Sequence, residues 1–162
     1  MFNIFNKQNS LAIYAPMSGK IIDLTKLADP VFSEKMVGDG VAIEPNENIV
    51  LSPAKGKIIQ VFPTKHAIGI ETDEGLEILI HLGIDTVELK GEGFKAFVKA
   101  GDRVNVGDKL LEMNIEIIQT KGKSTHTPVL ITNMDKVKEL KIMNKDNVKA
   151  GKDIIMEIKL KD

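Results

Sequence analysis

His66-Ala67-Ile68-Gly69-Ile70-Glu71-Thr72-Asp73-Glu74-Gly75-Leu76-Glu77-Ile78-Leu79-Ile80-His81 is the stretch that decides how this chain folds. Two apolar runs rich in Ile and Leu flank a short polar stretch ending in glycine, the pattern of a β-hairpin. With Thr72–Gly75 as the reversal, cross-strand partners have residue numbers summing to 147, which makes His66 and His81 a directly opposed pair. Opposed side chains in an antiparallel ladder carry Cβ atoms roughly 4.5–5.5 Å apart. Two imidazoles so placed can act together on one small ligand. A one-residue bulge would break that register.

His81 sits in Leu79-Ile80-His81-Leu82-Gly83-Ile84, an apolar place for an imidazole. Such surroundings disfavour the charged ring and depress its pKa. A neutral ring offers one unprotonated nitrogen, a nucleophile near pH 7. The other nitrogen needs an acceptor to fix the tautomer; the Gly83 or Asp85 region is close, but spacing does not single out the atom. Thr64 shares the face of His66 if the strand begins that early, and its hydroxyl could donate to an anion or hold the His66 ring. Asp85 and Glu88 are either solvated loop carboxylates or docking charges for a basic partner. Gly91-Glu92-Gly93 lacks the further glycines and following helix of a phosphate cradle and reads as a turn. His126, in a polar loop, reads as a surface residue without a chemical role.

Working outward, Ala15-Pro16-Met17-Ser18-Gly19-Lys20-Ile21-Ile22 is echoed by Ser52-Pro53-Ala54-Lys55-Gly56-Lys57-Ile58-Ile59, and Val98-Lys99-Ala100-Gly101-Asp102 by Val148-Lys149-Ala150-Gly151-Lys152-Asp153. The unequal spacings exclude a solenoid and point to duplicated strand-turn units packed in opposition. Short strands are expected at 41–44, 58–62, 95–98, 109–113, 129–132 and 154–158, separated by Gly, Asp, Asn and Pro clusters. The expected fold is therefore all-β, an antiparallel β-sandwich or barrel-like domain with one or two short helices. The helices are expected at 115–121, between the cap Asn114 and the stop Gly122, and at 134–141, with Asn133 as the cap. Residues 1–11 read as a short flexible lead and 12–162 as the domain.

Composition narrows the function. Lys plus Arg number 22 against 23 Asp plus Glu, so no global field favours nucleic acid or anionic lipid. Cysteine is absent, which removes disulfides and thiolate metal sites. The apolar tip Met1-Phe2-Asn3-Ile4-Phe5 is far shorter than a membrane span. A cytoplasmic location without stable membrane insertion is the expectation. With no tryptophan, stacking surfaces for sugars or bases are scarce.

His66–Glu71 together with Ile80-His81-Leu82-Gly83-Ile84-Asp85-Thr86-Val87-Glu88-Leu89-Lys90-Gly91-Glu92-Gly93-Phe94 closely resembles the glucose-type IIA component of the bacterial phosphoenolpyruvate:sugar phosphotransferase system. The likeness runs through residues 34–43, 104–108, 124–129 and 132–135 and so covers the chain from about residue 12 onward. It implies an antiparallel β-sandwich with a shallow depression, phosphorylation of His81, and stabilisation of the phosphoryl group by His66 with Thr64. It also implies a docking surface of Val31, Phe32, Met36, Val37, Phe62 and Val87, with Asp29 and Asp85 meeting basic residues of the donor. The implied partners are HPr as donor and the IIB domain of a sugar permease as acceptor; no cofactor is required beyond a transient phosphohistidine. Pro30 at a usually apolar docking position, His126 at a usually aliphatic one, and the short lead are departures that do not touch the chemistry.

Two other readings use the same residues. A zinc-dependent hydrolase would take His66 and His81 as ligands, but the chain lacks the additional His-x-His pair such enzymes need. A regulatory module would bind transporters or metabolic enzymes according to the phosphorylation state of His81, with a zinc ion shared between the two histidines and a partner carboxylate.

Overall fold

The computed structural model describes residues 10–162. Residues 1–9 of the expected lead lie outside the described residues, while Ser10 and Leu11 belong to the first strand rather than to the lead. The strands are β1 (Ser10–Tyr14), β2 (Gly19–Asp23), β3 (Asp39–Pro45), β4 (Ile49–Leu51), β5 (Gly56–Val61), β6 (Ala67–Thr72), β7 (Glu77–His81), β8 (Phe94–Ala96), β9 (Arg103–Val104), β10 (Lys109–Met113), β11 (Thr127–Ile131), β12 (Val137–Ile142), β13 (Asn147–Val148) and β14 (Ile154–Leu160). The helices are α1 (Pro30–Ser33) and α2 (Ile115–Thr120). An eight-stranded sheet has the order β13-β2-β3-β11-β7-β6-β5-β9, and two three-stranded sheets run β1-β14-β12 and β4-β10-β8. Each of the ladders is antiparallel.

That order is palindromic about the β11–β7 pair, which is the duplication foreshadowed by the sequence echoes. β2 matches β5, β3 matches β6, β13 matches β9, and the two small sheets match strand for strand. The hydrogen bonds repeat the symmetry: Tyr14 N donates to Pro53 O at 2.9 Å, and Leu51 N donates reciprocally to Pro16 O at 2.8 Å. A Cβ placed on Gly19 would meet Glu44 O at 2.1 Å, and one on Gly56 would meet Glu71 O at 2.1 Å. Only glycine lets the neighbouring backbone approach that closely, which explains its recurrence in both echoes.

Alternation assigns the faces of the large sheet. Val41, Ile43, Ile58, Ile68, Ile70, Ile78, Ile80, Val129 and Ile131 point inward, where they pack with Ile13, Val50, Leu110, Met113, Met156 and Ile158 of the small sheets. The opposite face is built from smaller residues, Gly40, Ala42, Ala67 and Gly69, beside Leu79 and Leu130. Residues 24–38 lie over part of it and bury Leu24, Leu27 and Phe32 against Ala42 and Leu130. The symmetry breaks here, because the corresponding connection between β5 and β6 is only residues 62–66. His81 lies at the margin of this cover.

Two local expectations are corrected. The hairpin register is slipped by one residue: Ala67, not His66, lies opposite His81. Thr72 N donates to Leu76 O at 2.8 Å and Gly75 N to Thr72 O at 2.9 Å, so the loop is Asp73-Glu74-Gly75. Gly75 takes φ 93°, the left-handed residue of a three-residue hairpin loop. The second expected helix is a single 3-10 turn, Met134–Lys136, followed by β12. Asn133 makes no cap bond; its side chain instead accepts from Glu77 N at 2.8 Å and donates to Gly75 O at 3.0 Å. Helix α2 forms as expected, with the Asn114 side chain accepting from Ile117 N at 3.1 Å.

Candidate functional site

Despite the slipped register, the two imidazoles meet: their ring centroids are 5.1 Å apart with the planes at 79°. In a regular ladder the slip would send His66 to the other side of the sheet. It does not, because His66 precedes the start of β6 and follows a turn in which Lys65 N donates to Phe62 O at 2.7 Å. Lys65 then takes a left-handed φ of 60°, which redirects the chain. The small Ala67 across from His81 leaves room over the pair. His66 O, in turn, accepts from Leu82 N at 2.6 Å and ties the two ends together.

Each ring is held from behind. His81 Nδ1 lies 2.7 Å from Gly83 O. A carbonyl only accepts, so Nδ1 carries the hydrogen and the lone pair sits on Nε2. His66 Nδ1 is bonded to the Thr64 hydroxyl. Phe32 packs on His81 at 5.0 Å between centroids, and Phe62 meets His66 edge-on at 5.4 Å. Burial holds the His66 pKa down to about 4, with the neighbouring His81 adding to the shift. Burial also lowers the His81 pKa, opposed by the Gly83 carbonyl and by the carboxylates Asp29 and Asp85. Both rings are thus disposed to be neutral near pH 7, with a free nucleophilic nitrogen on His81.

The structure distributes the other expected residues in three ways. Val31, Met36 and Val87 are exposed, with relative accessibilities of 40%, 70% and 51%, and are available to a partner. Phe62 and Val37 are half-buried. Phe32 is buried, with its ring packed on His81. Asp29 caps α1 by accepting from Val31 N at 2.9 Å, and Asp85 is exposed with a left-handed φ of 59°. Glu88 is exposed and pairs with Lys123 at 2.6 Å. His126, expected at the surface without a role, is half-buried with Nε2 3.6 Å from the Glu44 carboxylate.

Sequence reasoning did not fix Gly83 as the tautomer-setting acceptor and passed over Thr86 and Ser124, which brace the same turn. The signal was the Gly-x-x-Thr spacing after His81; Ser124 gives none, since it arrives from across the fold. No group of three or more His, Cys, Asp or Glu side chains that could hold a metal occurs among the described residues. The histidine pair therefore finds no third protein ligand among the described residues, and the hydrolase reading has no support.

The family model for the phosphoenolpyruvate-dependent sugar phosphotransferase system, EIIA 1, matches residues 11–137. A glucose-specific EIIA component from Halalkalibacterium halodurans is 48% identical over 91% of this chain and 86% of its own length. One from Bacillus anthracis is 44% identical over 99% of this chain and 98% of its own. The solved glucose permease IIA from Mycoplasma capricolum superposes with a TM-score of 0.86 at 42% identity, covering 91% of this chain and 95% of that one. This β-sandwich with its facing imidazoles is therefore a phosphotransferase component of sugar uptake, a relay that takes a phosphoryl group and passes it on. The chain belongs to the EIIA 1 family of the phosphoenolpyruvate-dependent sugar phosphotransferase system.

Proposed function

We propose that His81 Nε2 accepts the phosphoryl group from phosphohistidine on HPr and delivers it to the IIB domain of a glucose-type permease. The observation that carries this reading is the bond from His81 Nδ1 to Gly83 O, which leaves Nε2 unprotonated beside the second ring. In the transfer, the Nε2 lone pair forms the new N–P bond as the donor N–P bond breaks. The hydrogen stays on Nδ1 throughout, donated to Gly83 O. Donor and acceptor are both imidazoles, so the step is close to balanced and reversible.

His66 supports the phosphoryl group as a neutral donor. With the Thr64 hydroxyl donating to Nδ1, the hydrogen of His66 resides on Nε2, free to bond an equatorial phosphoryl oxygen. A donor pre-oriented in a partly dry site needs no reorganisation when charge develops. Asp29 and Asp85 act on His81 with charge of the same sign as phosphate, so a partner bringing cations would complement the loaded site. The exposed Val31, Met36 and Val87 supply apolar contact for that partner.

Incubation with phosphoenolpyruvate, enzyme I and HPr, followed by mass-spectrometric location of acid-labile phosphate, tests the assignment. Label is expected on His81 and absent from His81→Gln. Label on another residue, or full labelling of His81→Gln, would overturn it.

A further inference from the structure

We infer that Thr86 is a positioning residue for His81: its buried hydroxyl locks the Leu82–Ile84 turn so that the Gly83 carbonyl holds His81 in the Nδ1–H tautomer. The assignment rests on the reading of His81 as the nucleophile.

The turn after β7 consists of two peptide planes hinged at Gly83. The first, Leu82–Gly83, is fixed by Thr86, whose Oγ1 donates to Leu82 O at 2.5 Å. Thr86 is fully buried, so no water replaces that bond if the hydroxyl is lost. The second plane, Gly83–Ile84, is gripped from both sides. Its N–H donates to Ser124 O at 3.1 Å, and its carbonyl accepts from His81 Nδ1 at 2.7 Å. In a trans peptide the N–H and C=O point in opposite directions, so the Ser124 bond aims the Gly83 carbonyl back toward the ring. The hinge itself is Gly83, at φ 79°. A Cβ there would meet the Thr86 methyl carbon at 2.5 Å and Ser124 O at 2.7 Å, so Thr86 also packs the hinge closed.

Without the Thr86 hydroxyl the first plane is free to rotate and the Leu82 carbonyl is left without its buried donor. Rotation at Gly83 then moves the second carbonyl off His81 Nδ1. A ring that loses this acceptor can place its hydrogen on either nitrogen, and the fraction with hydrogen on Nε2 is not a nucleophile there. Thr86 touches neither phosphoryl group nor partner in this scheme; it acts through Gly83.

The test uses the full chain, uniformly labelled with 15N, and long-range imidazole correlation spectra above pH 7. Wild type is expected to show His81 Nδ1 as protonated nitrogen and Nε2 as bare nitrogen, and a slowly exchanging Thr86 hydroxyl proton. Thr86→Val, which keeps the shape, is expected to pull the two nitrogen shifts toward each other and to move the ring titration to lower pH. Single-turnover acceptance from phospho-HPr should fall roughly tenfold, the order expected for one lost buried hydrogen bond. Thr86→Ser, which keeps the hydroxyl, should restore shifts and rate. A folded Thr86→Val with wild-type His81 shifts would overturn the inference, as would a Thr86→Ser as impaired as the valine variant. Should the valine variant not fold, absence of the slowly exchanging hydroxyl in wild type would overturn it. A wild-type Nδ1–H tautomer with phosphate located elsewhere than His81 would instead sink the proposed function and leave the role of Thr86 in setting the tautomer intact.

Discussion

Lowering the pH from 7 to 4.5 should destabilise the protein through His66, and His66→Gln should remove that part of the response. His66 is 5% exposed as a residue, and its pKa is held down from 6.5 to about 4 by burial. Between those values the unfolded chain binds a proton that the folded protein refuses, so stability is full above about 6.5 and drains away as the pH falls toward 4. The limiting slope is about 1.4 kcal/mol per pH unit. Allowing for solvent on the open side of the site, the contribution of His66 over the window is about 2 kcal/mol. His81 acts in the same sense, because its pKa is also lowered by burial. Asp23, Asp102 and Asp153, lowered from 3.8 by hydrogen bonds within their turns, act only below the window.

Urea unfolding followed by circular dichroism at half-unit pH steps measures this, since the chain has no tryptophan to report by fluorescence. The wild-type curve should be steeper than that of His66→Gln between pH 6.5 and 4.5, and the two should run parallel above 7. Curves that are parallel throughout the window would refute the claim that burial keeps His66 neutral.

Three other outcomes are expected. His66→Gln should still take label from phospho-HPr but pass it to IIB roughly a hundredfold more slowly, the loss typical of one oriented charge-stabilising donor, as read by quench-flow with phosphate-affinity gels. Gly83→Ala should destabilise by about 3 kcal/mol, because it forces a left-handed alanine against two close neighbours; chemical denaturation checks this. Gly19→Ala and Gly56→Ala should lower the thermal midpoint by similar amounts, since each would press a methyl group against a strand carbonyl at the same 2.1 Å; a clearly unequal pair would contradict the structural equivalence of the two halves.

The sequence made the strands legible because Ile, Val and Leu recur between Gly, Pro and Asn, and it made α2 legible because Asn114 caps within its own turn. The twin glycines of the echoes announced the duplication. The hairpin register was less legible: Thr72-Asp73-Glu74-Gly75 fits a two-residue or a three-residue loop equally well as a string. What selects the longer loop is the left-handed Gly75 together with the bond from Leu76 N to the Thr72 hydroxyl. The helix expected after Asn133 failed for a non-local reason. β14 offered Val137–Ile142 a ladder, and the hairpin turn took the Asn133 side chain. Phe32 entered the expected docking surface through the family resemblance, and no local pattern showed that residues 24–38 fold its ring onto His81.

What the sequence alone determined is the chemistry on offer, two imidazoles at the ends of an apolar hairpin, because strand pattern and turn residues act over a few neighbours. The tertiary structure decided whether those rings share a side, which nitrogen of His81 is bare and how far each ring resists protonation. Those properties depend on Lys65 turning the chain, on the cover formed by residues 24–38, and on Ser124 reaching the turn after β7. Orientation and charge state are set by the groups packed around a side chain, and here Phe32, Asp29 and Ser124 reach the pair and its turn from distant parts of the chain.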